Sequence, residues 1–408
     1  MTTGAVASAR PHHLRIVTPL PLATRRRTRA STRRTLALLL APTAFLVIGG
    51  LLMVLSASSV SSFAEFGDSF RYFQRQSIYA IVGMGALVLT ARMRYDAWRR
   101  LSLPFLALTI LLLGVVLSPS HGVEAYGSSR WFQLGPVTVQ PSEIAKLAAV
   151  VFAAMVIERK WGKLDDLGHL ALPLLPVVLV IGGMVMLQPD LGTTLIITAT
   201  VFAMLFVAGV RMRYLSMAAF FGTVVGMGLI MSAEYRRVRF LSFLHPWEDA
   251  SNTGYQLAQS LIALGSGGWF GVGLGASRQK WAYVPNAHND FIFAILGEEL
   301  GLIGEIVVLA AFAALIYAGV RIAASAKDVF GRMLAGGIVS WFGIQALINL
   351  GAVTGLLPIT GVPLPFLSYG GSSLVVSLAA VGILVNIATA PVRASARSRS
   401  RSARARAA

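Results

Sequence analysis

Apolar runs about twenty residues long alternate with short polar segments over most of this chain. Runs of that length with few charges are typical of helices that cross a lipid bilayer. The pattern predicts ten spans, at 35–55, 74–91, 101–118, 142–157, 170–187, 191–210, 214–232, 290–319, 333–353 and 369–390. We therefore expect an all-α integral membrane protein with one large extracytoplasmic loop, 233–289, between spans seven and eight.

The composition supports this fold class. Hydrophobic residues make up 56% of the 408 residues and charged residues only 13%, whereas soluble proteins carry roughly 25% charged residues. The chain contains no cysteine, which excludes disulfides and thiolate metal sites.

Positive charge is distributed unevenly between the predicted loops. Most of the 35 Lys and Arg precede span one, follow span ten or lie between alternate spans, all on one side of the membrane. The positive-inside rule makes that side cytoplasmic, with both termini there. The ends at 1–34 and 391–408 are basic and low in complexity, and they predict disordered cytoplasmic tails around one membrane domain at 35–390. The net charge of +18 could indicate nucleic-acid binding, but topology and anionic lipid explain it better.

Polar residues gather mainly on the opposite, outer side. Glu143 and Lys146 are three residues apart at the start of span four, so they share a helix face. They could form a local ion pair, or Lys146 could face a cavity and meet an anion or Asp190. The turn Gln188-Pro-Asp-Leu-Gly192 leaves a similar choice, because Asp190 could simply cap the next helix.

The large outer loop concentrates basic residues on a side where positive charge is otherwise sparse: Arg236, Arg237, Arg239, Arg278 and Lys280. A solvated loop surface would explain them. Binding of a phosphorylated group would also explain them, because the planar guanidinium forms paired hydrogen bonds with phosphate. Ser368, just before span ten, is either a helix cap or part of an anion site built from free backbone N–H groups.

Acidic residues in and beside span eight are costly in a membrane and need partners or a function. Asp290 lies at the outer edge, beside the basic loop, where a substrate could reach it. Glu298 is expected to support packing inside the bundle, and Glu299 receives no assignment. Gln345 and Asn349, four residues apart on span nine, are expected to form hydrogen bonds between helices.

Several segments, taken together and in order, resemble the SEDS proteins (shape, elongation, division and sporulation), the multi-span polymerases of bacterial cell-wall synthesis. The resemblance covers about 35–390 and is carried by Arg130-Trp131, Gln140-Pro-Ser-Glu-Ile-Ala-Lys146, Gln188-Pro-Asp-Leu-Gly192, 254–268, Ala287-His-Asn-Asp-Phe-Ile-Phe-Ala294 and Pro363-Leu-Pro-Phe-Leu-Ser-Tyr-Gly-Gly-Ser-Ser373. Segments 54–60, 73–76 and 277–280 are more similar to the division branch than to the elongation branch. Asn286 and Asn289 stand where the family often has Glu and Thr, so a carboxylate at 286 is not essential here or its role has moved.

The resemblance implies a peptidoglycan glycosyltransferase that polymerises lipid II into β-1,4-linked glycan and releases undecaprenyl pyrophosphate, in septal cell-wall synthesis. It implies Asp290 as the base for the acceptor hydroxyl. The other site residues expected are Arg130, Lys146, Arg236, Arg237, Arg278, Lys280 and Ser368 for substrate binding, with Glu143, Gln188, Asp190 and Glu298 in support. A divalent cation such as Mg2+ or Mn2+ could assist.

The same resemblance implies a bacterial cytoplasmic-membrane location at the division septum. The expected partners are a class B penicillin-binding protein, which is a single-span transpeptidase, and other division proteins. Two other functions stay open at this point, a lipid II flippase and a non-enzymatic scaffold of the division complex.

Overall fold

The computed structural model describes residues 29–118, 123–125, 128–134, 137–164, 167–248, 250, 252, 254–281, 284 and 287–407. A long helix stands at each predicted span: α1 Arg29–Phe66, α2 Arg71–Arg92, α3 Tyr95–Leu117, α4 Pro141–Arg159, α5 Leu167–Met186, α6 Leu191–Ala208, α7 Met212–Met231, α10 Ile292–Ala324, α11 Val329–Val353 and α12 Gly371–Ala407. The predicted tail at 1–34 falls mostly outside the described residues. Helix α12 continues into the predicted tail at 391–408 as far as Ala407.

The prediction of a helical membrane protein is confirmed. Seven of the described helices are long and apolar enough to cross a membrane by length and composition. The other three differ locally from that pattern. Helix α2 starts with polar residues, α4 carries Glu143 and Lys146, and the apolar part of α5 is short, at Leu170–Met186.

The outer loops contain structure that hydropathy alone does not predict. Segment 118–141 forms a small antiparallel sheet of β1 Val123–Ala125, β2 Ser128–Leu134 and β3 Val137–Val139. The hydroxyl of Tyr79 on α2 accepts the backbone N–H of Thr138 at 2.9 Å, which seats the sheet on the helices. The large outer loop contains two further helices, α8 Glu234–Ser242 and α9 Tyr255–Gly267.

Helices α4 and α11 form the centre of the bundle. Nearly every residue of α4 up to Ile157 is buried, and most residues of α11 are buried too. Helix α7 has the opposite character, since only Leu215 is buried among its described residues. Most of its exposed side chains are apolar, as expected for a surface that faces lipid.

Helix α10 is broken at Gly301, which has φ 65° and ψ −170°. Residues 292–299 before the break are all buried, whereas Leu302, Ile303 and Ile306 after it are exposed. The part after the break, 302–324, is about 34 Å long at 1.5 Å per residue, enough to cross a bilayer alone. The single continuous span predicted at 290–319 is therefore two helical parts, and only the second has the exposure pattern of a lipid-facing span.

A glycine-rich loop at 267–273 fills the break. In an unbroken helix the N–H groups of Leu302 and Ile303 would bond to the carbonyls of Glu298 and Glu299. Instead they donate to the carbonyls of Gly268 at 2.9 Å and Trp269 at 3.2 Å. The two released carbonyls accept the N–H groups of Val272 at 2.9 Å and Gly273 at 3.1 Å. Two lost helical bonds are thus replaced by four bonds to the inserted loop.

The insertion brings backbones so close together that side chains do not fit between them. A Cβ at Gly271 would lie 2.1 Å from the carbonyl oxygen of Glu299, and one at Gly301 would lie 2.4 Å from the nitrogen of Gly271. Gly271 also has φ +76°, which residues with a side chain rarely adopt.

We expect Gly271→Ala to destabilise the fold more than Gly275→Ala. Gly275 has nearly the same φ, +78°, but has no atom within 4 Å of its Cβ position. Both variants carry the cost of a positive φ, about 1–2 kcal/mol, and only Gly271→Ala adds overpacking worth about 1–3 kcal/mol. Thermal unfolding of the purified proteins in one detergent checks this, and equal midpoints for the two variants would contradict the insertion.

Candidate functional site

Helix α11 carries a row of hydrogen-bonding groups at four-residue intervals. These groups connect the helix to the segments that surround it at the outer end of the bundle. The Trp341 indole donates to Gln345 Oε1 at 2.7 Å, and Gln345 Nε2 donates to the carbonyl of Pro363 at 2.8 Å. One turn further, Asn349 bonds to two more backbone carbonyls. The carbonyl of Val353 then accepts the hydroxyl of Ser260 on α9 at 2.8 Å. The predicted interhelical bonding is confirmed for Gln345, which accepts from Lys146 on α4. Asn349 instead bonds to two residues outside the helices, Asp290 and Val362.

Asp290 is held at this row through its backbone. Asn349 Nδ2 donates to the Asp290 carbonyl at 2.7 Å and to the Val362 carbonyl at 2.8 Å. The Asp290 carboxylate is half-buried, and its Oδ2 lies 3.9 Å from the Cβ position that Gly361 leaves empty. The carboxylate therefore stands at the outer end of the bundle, beside Gly361, which has no side chain.

Lys146 and Glu143 form an ion pair in the centre of the bundle. Lys146 Nζ lies 2.7 Å from Glu143 Oε1 and 2.9 Å from Gln345 Oε1, and both charged residues are 2% exposed. The ammonium also lies 5.3 Å from the centre of the Trp341 ring. The local ion pair is thus the arrangement observed. A contact between Lys146 and Asp190 is not, since the Asp190 carboxylate caps α6 by accepting the N–H of Thr193 at 2.9 Å.

Arg130 supports the turn before α6. Its Nε donates to the carbonyl of Gln188 at 2.8 Å, and its Nη2 donates to the carbonyl of Pro189 at 2.6 Å. The Gln188 side chain is 1% exposed, and its amide atoms have no partner among the described residues. Both residues therefore help to form the structure of the outer end. Contact of Arg130 with substrate stays a prediction.

His288 packs in an aromatic cluster two residues before Asp290. Its ring lies 4.7 Å from that of Tyr72 and 5.5 Å from that of Tyr369, and its carbonyl accepts the N–H of Tyr369 at 2.9 Å. Burial lowers the pKa of His288 from 6.5 to about 4. The imidazole is neutral near pH 7, so it supplies no positive charge beside Asp290.

Ser368 stabilises the segment that leads into α12. Its hydroxyl accepts the N–H of Leu364 at 2.8 Å, and its carbonyl accepts Gln76 Nε2 at 3.2 Å. Helix α12 begins at Gly371, so Ser368 caps a turn within 364–368 rather than the helix itself. Binding of an anion by Ser368 stays a prediction.

The basic residues of the large outer loop differ in exposure. Arg237 and Arg278 are exposed, and Arg236 on α8 is half-buried. Lys280 is only 8% exposed, because its ammonium donates to the carbonyl of Gly275 at 2.5 Å and lies 3.7 Å from Glu299 Oε1. Arg278 is therefore the basic side chain of segment 277–280 that is accessible to a ligand. The side chain of Arg239 lies outside the described residues.

Glu298 and Glu299 accept hydrogen bonds from segment 277–280. The hydropathy pattern does not reveal these contacts. Glu298 bonds to the Ser277 hydroxyl at 2.5 Å and to the N–H groups of Arg278 at 2.9 Å and Gln279 at 3.3 Å. Glu299 Oε1 accepts the hydroxyl of Ser56 on α1 at 2.5 Å. The supporting role predicted for Glu298 has a definite form here, and Glu299 gains a position that the sequence did not indicate.

Sequence reasoning missed three polar partners in this region, Ser56, Ser277 and Trp341. Each is a small or aromatic residue in a segment where such residues are common, so its type alone carries no signal. Their partners Glu299, Glu298 and Gln345 carry the signal, because a buried polar group requires a hydrogen-bond donor nearby.

Residues 36–392 match the family described as cell cycle protein (FtsW/RodA/SpoVE). A probable peptidoglycan glycosyltransferase FtsW of Geobacter metallireducens is 45% identical over 340 residues, covering 83% of this chain and 91% of that protein. The stage V sporulation protein E of Bacillus subtilis is 43% identical over 350 residues, covering 86% of this chain and 96% of that protein. The resemblance expected from the motifs is confirmed.

Solved structures give the same match at the level of the fold. A chain from a structure titled as structural coordination of polymerization and crosslinking by a peptidoglycan synthase complex aligns with TM-score 0.70 and 28% identity, covering 86% of this chain and 97% of that chain. The rod shape determining protein RodA of Thermus thermophilus aligns with TM-score 0.61 and 28% identity, covering 86% of this chain and 95% of that chain.

We expect Lys146→Met to destabilise the protein strongly and Glu143→Gln to reverse much of that loss in the double variant. Lys146→Met leaves the Glu143 carboxylate buried without its cation, which costs about 3–5 kcal/mol, whereas removing both charges is often nearly neutral. Thermal unfolding of the two single variants and the double variant checks this. A double variant no more stable than Lys146→Met would show that the two charges do not stabilise each other.

Proposed function

Because the chain belongs to the FtsW/RodA/SpoVE family of cell cycle proteins, we infer that it is a peptidoglycan glycosyltransferase. Relatives named as probable peptidoglycan glycosyltransferases share 40–45% identity with most of the chain. The fold agrees with that of a chain in a peptidoglycan synthase complex. Its location in a membrane follows from the family and from its apolar helices.

We propose lipid II as the substrate and polymerisation as the reaction. The acceptor 4-hydroxyl oxygen forms a bond with the anomeric carbon of the donor sugar, and the bond from that carbon to the pyrophosphate breaks. The electron pair leaves with undecaprenyl pyrophosphate, and the hydroxyl proton passes to a base. Attack opposite the leaving group inverts the anomeric centre and gives a β-1,4 link.

Asp290 is the proposed base, and the observation that carries this assignment is its position. It is a half-buried carboxylate at the outer end of the bundle, fixed through its backbone by Asn349 and facing the bare backbone at Gly361. The other acids of this region have different tasks. Glu143 pairs with Lys146, Asp190 caps α6, and Glu298 holds the loop.

Positive charge for the departing pyrophosphate comes from the large outer loop. Arg278 is the first choice, because it is exposed and its backbone is held by Glu298. Glu298 lies six residues beyond Ile292, the first residue of α10, or about 9 Å along the helix axis. Arg236 and Arg237 on α8 are further candidates. Lys280 and Lys146 are buried and engaged with protein groups, so direct contact with substrate would require them to change partners.

A divalent cation such as Mg2+ or Mn2+ remains part of the proposal. The described residues contain no group of three or more His, Asp or Glu that could hold a metal ion. Mg2+ that is bound to phosphate oxygens needs only one or two carboxylates from the protein, and Asp290 could supply one.

A class B penicillin-binding protein is the proposed partner. This rests on the similarity to a chain from a synthase complex whose title combines polymerisation with crosslinking. The charge distribution of the loops supports cytoplasmic termini, and the similarity to FtsW proteins supports action at the division septum together with other division proteins.

We expect Asp290→Asn to abolish polymer formation while the protein remains folded. A general base is worth about 10²–10⁴ in rate, and asparagine keeps the shape of the side chain but cannot accept the proton. The measurement is incubation of the purified protein with labelled lipid II, alone and with its transpeptidase partner, followed by gel analysis of the polymer.

Asn349→Ala serves as a comparison, because it removes the bond to the Asp290 backbone and leaves the carboxylate in place. It should retain more activity than Asp290→Asn. Wild-type polymerisation by Asp290→Asn would overturn the assignment of the base. A flippase or a scaffold would form no polymer even as the wild-type protein.

We expect Arg278→Ala to raise the KM for lipid II about tenfold or more, because one charge-assisted contact to pyrophosphate is lost. The side chain is exposed, so unfolding midpoints should not change. Steady-state kinetics over a range of lipid II concentrations checks this. An unchanged KM and an unchanged kcat together would remove Arg278 from the site.

A further inference from the structure

We propose that Glu298 is a positioning residue for glycan polymerisation: its carboxylate holds segment 277–279 so that Arg278 stays in fixed register with Asp290. The inference rests on the proposed function, since Arg278 receives the pyrophosphate there. It assigns Glu298 no contact with substrate.

The first observation is how completely the Glu298 carboxylate is used. It is 2% exposed, and it accepts the Ser277 hydroxyl and the successive N–H groups of Arg278 and Gln279. Hydrogen bonds to an ionised acceptor are about twice as strong as neutral ones. Segment 276–281 belongs to no helix or strand, so these bonds define its backbone.

The second observation is that Asp290 lies two residues before the buried helical part that carries Glu298. Residues 291–299 are all buried, and 292–299 lie in the first part of α10. A shift of segment 277–279 relative to this part would break bonds to Glu298. The backbone of Arg278 is therefore held at a fixed position along α10, whose first turn directly follows Asp290.

The third observation is that the loop is anchored on its other side as well. Residues 268–273 are bonded into the break of α10 through four backbone hydrogen bonds. Glu299 adds its bonds to Ser56 on α1 and its contact with Lys280. Arg278 thus lies between two fixed anchors, and the Glu298 carboxylate is the one that bonds directly to its backbone.

The chemistry of the three donors requires a carboxylate at this position. An ionised carboxylate offers only acceptors, whereas a glutamine offers one oxygen and an NH2 group that is a donor. Glu298→Gln would therefore oppose a donor to at least one of the three donors, with almost no change in volume. The loosened segment would misplace the guanidinium, and a displacement of about 1 Å can cost about 10² in rate.

A double-mutant cycle between Glu298→Gln and Arg278→Ala tests the inference. We expect Glu298→Gln alone to lower kcat/KM for lipid II about 10–100-fold, mainly through KM. In the Arg278→Ala background the same change should lower it less than about threefold, because the group that Glu298 positions is already absent. If the two effects multiply in full, Glu298 does not act through Arg278 and the inference is wrong.

Arg237→Ala provides the matched control for this cycle. It removes another exposed arginine of the same loop, one on α8 with no bond to Glu298 among the described contacts. The effects of Glu298→Gln and Arg237→Ala should therefore multiply. Equal coupling of Glu298 to both arginines would indicate a general loss of structure and would overturn the specific role.

Ser277→Ala keeps the test decisive if Glu298→Gln does not fold. It removes one of the three donors to the carboxylate. We expect its coupling to Arg278→Ala to have the same sign as that of Glu298→Gln and a smaller size. Failure of the proposed function has a different signature, since the wild-type protein would then form no polymer. Failure of the role proposed for Arg278 would leave kcat/KM unchanged in Arg278→Ala alone. If Arg278→Ala lowers kcat/KM but shows no coupling to Ser277→Ala, only the positioning role of Glu298 is contradicted.

Discussion

Backbone hydrogen bonding at Gly301 is the constraint on which the arrangement of the outer end depends. A helix broken in an apolar bundle exposes N–H and C=O groups that water cannot satisfy, and each unpaired group costs several kcal/mol. The inserted loop at 267–273 supplies all four partners. The first part of α10 can therefore leave the line of the membrane span and stay buried, with Asp290 at its tip. The same insertion brings segment 277–280 to Glu298 and Glu299. The positions of Asp290, the proposed base, and of the basic residues in this segment therefore both depend on the junction at Gly301.

The row of hydrogen-bonding groups on α11 makes a second connection between the segments at the outer end. Gln345 and Asn349 join α4, segment 362–363 and the backbone of Asp290 across a single helix face. The Glu143–Lys146 pair is costly to desolvate, and it becomes tolerable because Gln345 and the Trp341 ring engage the ammonium as well. Asp290, the proposed base, is thus attached to a network of hydrogen bonds through its backbone, which suits a reaction that depends on the distance between base and leaving group.

The sequence predicts the elements of this fold better than their junctions. Long apolar runs locate the helices, and a spacing of three or four residues correctly pairs Glu143 with Lys146 and aligns Gln345 with Asn349. The break at Gly301 is not predicted, because a glycine between Leu300 and Leu302 in a long, mostly apolar run is compatible with a continuous helix. Its partner loop lies some thirty residues away, and nothing in local spacing connects them. Glu298 and Glu299 look like a liability in the sequence, since their donors are backbone N–H groups and serines that carry no distinguishing pattern. For Asp290 the outer position and the family resemblance sufficed to single it out.

The inserted loop also has a consequence for biogenesis. Residues 267–273 leave the ribosome before 298–303. The loop that fills the break at Gly301 is therefore made before the helix that it enters. The stretch from Phe291 to Val320 is mostly apolar, interrupted by Glu298, Glu299 and Glu305, and it is longer than one bilayer crossing. Hydropathy alone does not decide where the lipid-embedded part starts. The boundary at Gly301 is set by the bonds between this loop and α10, which can form only when both segments have been made. The outer end near Asp290 therefore depends on a contact between two distant segments as well as on hydropathy.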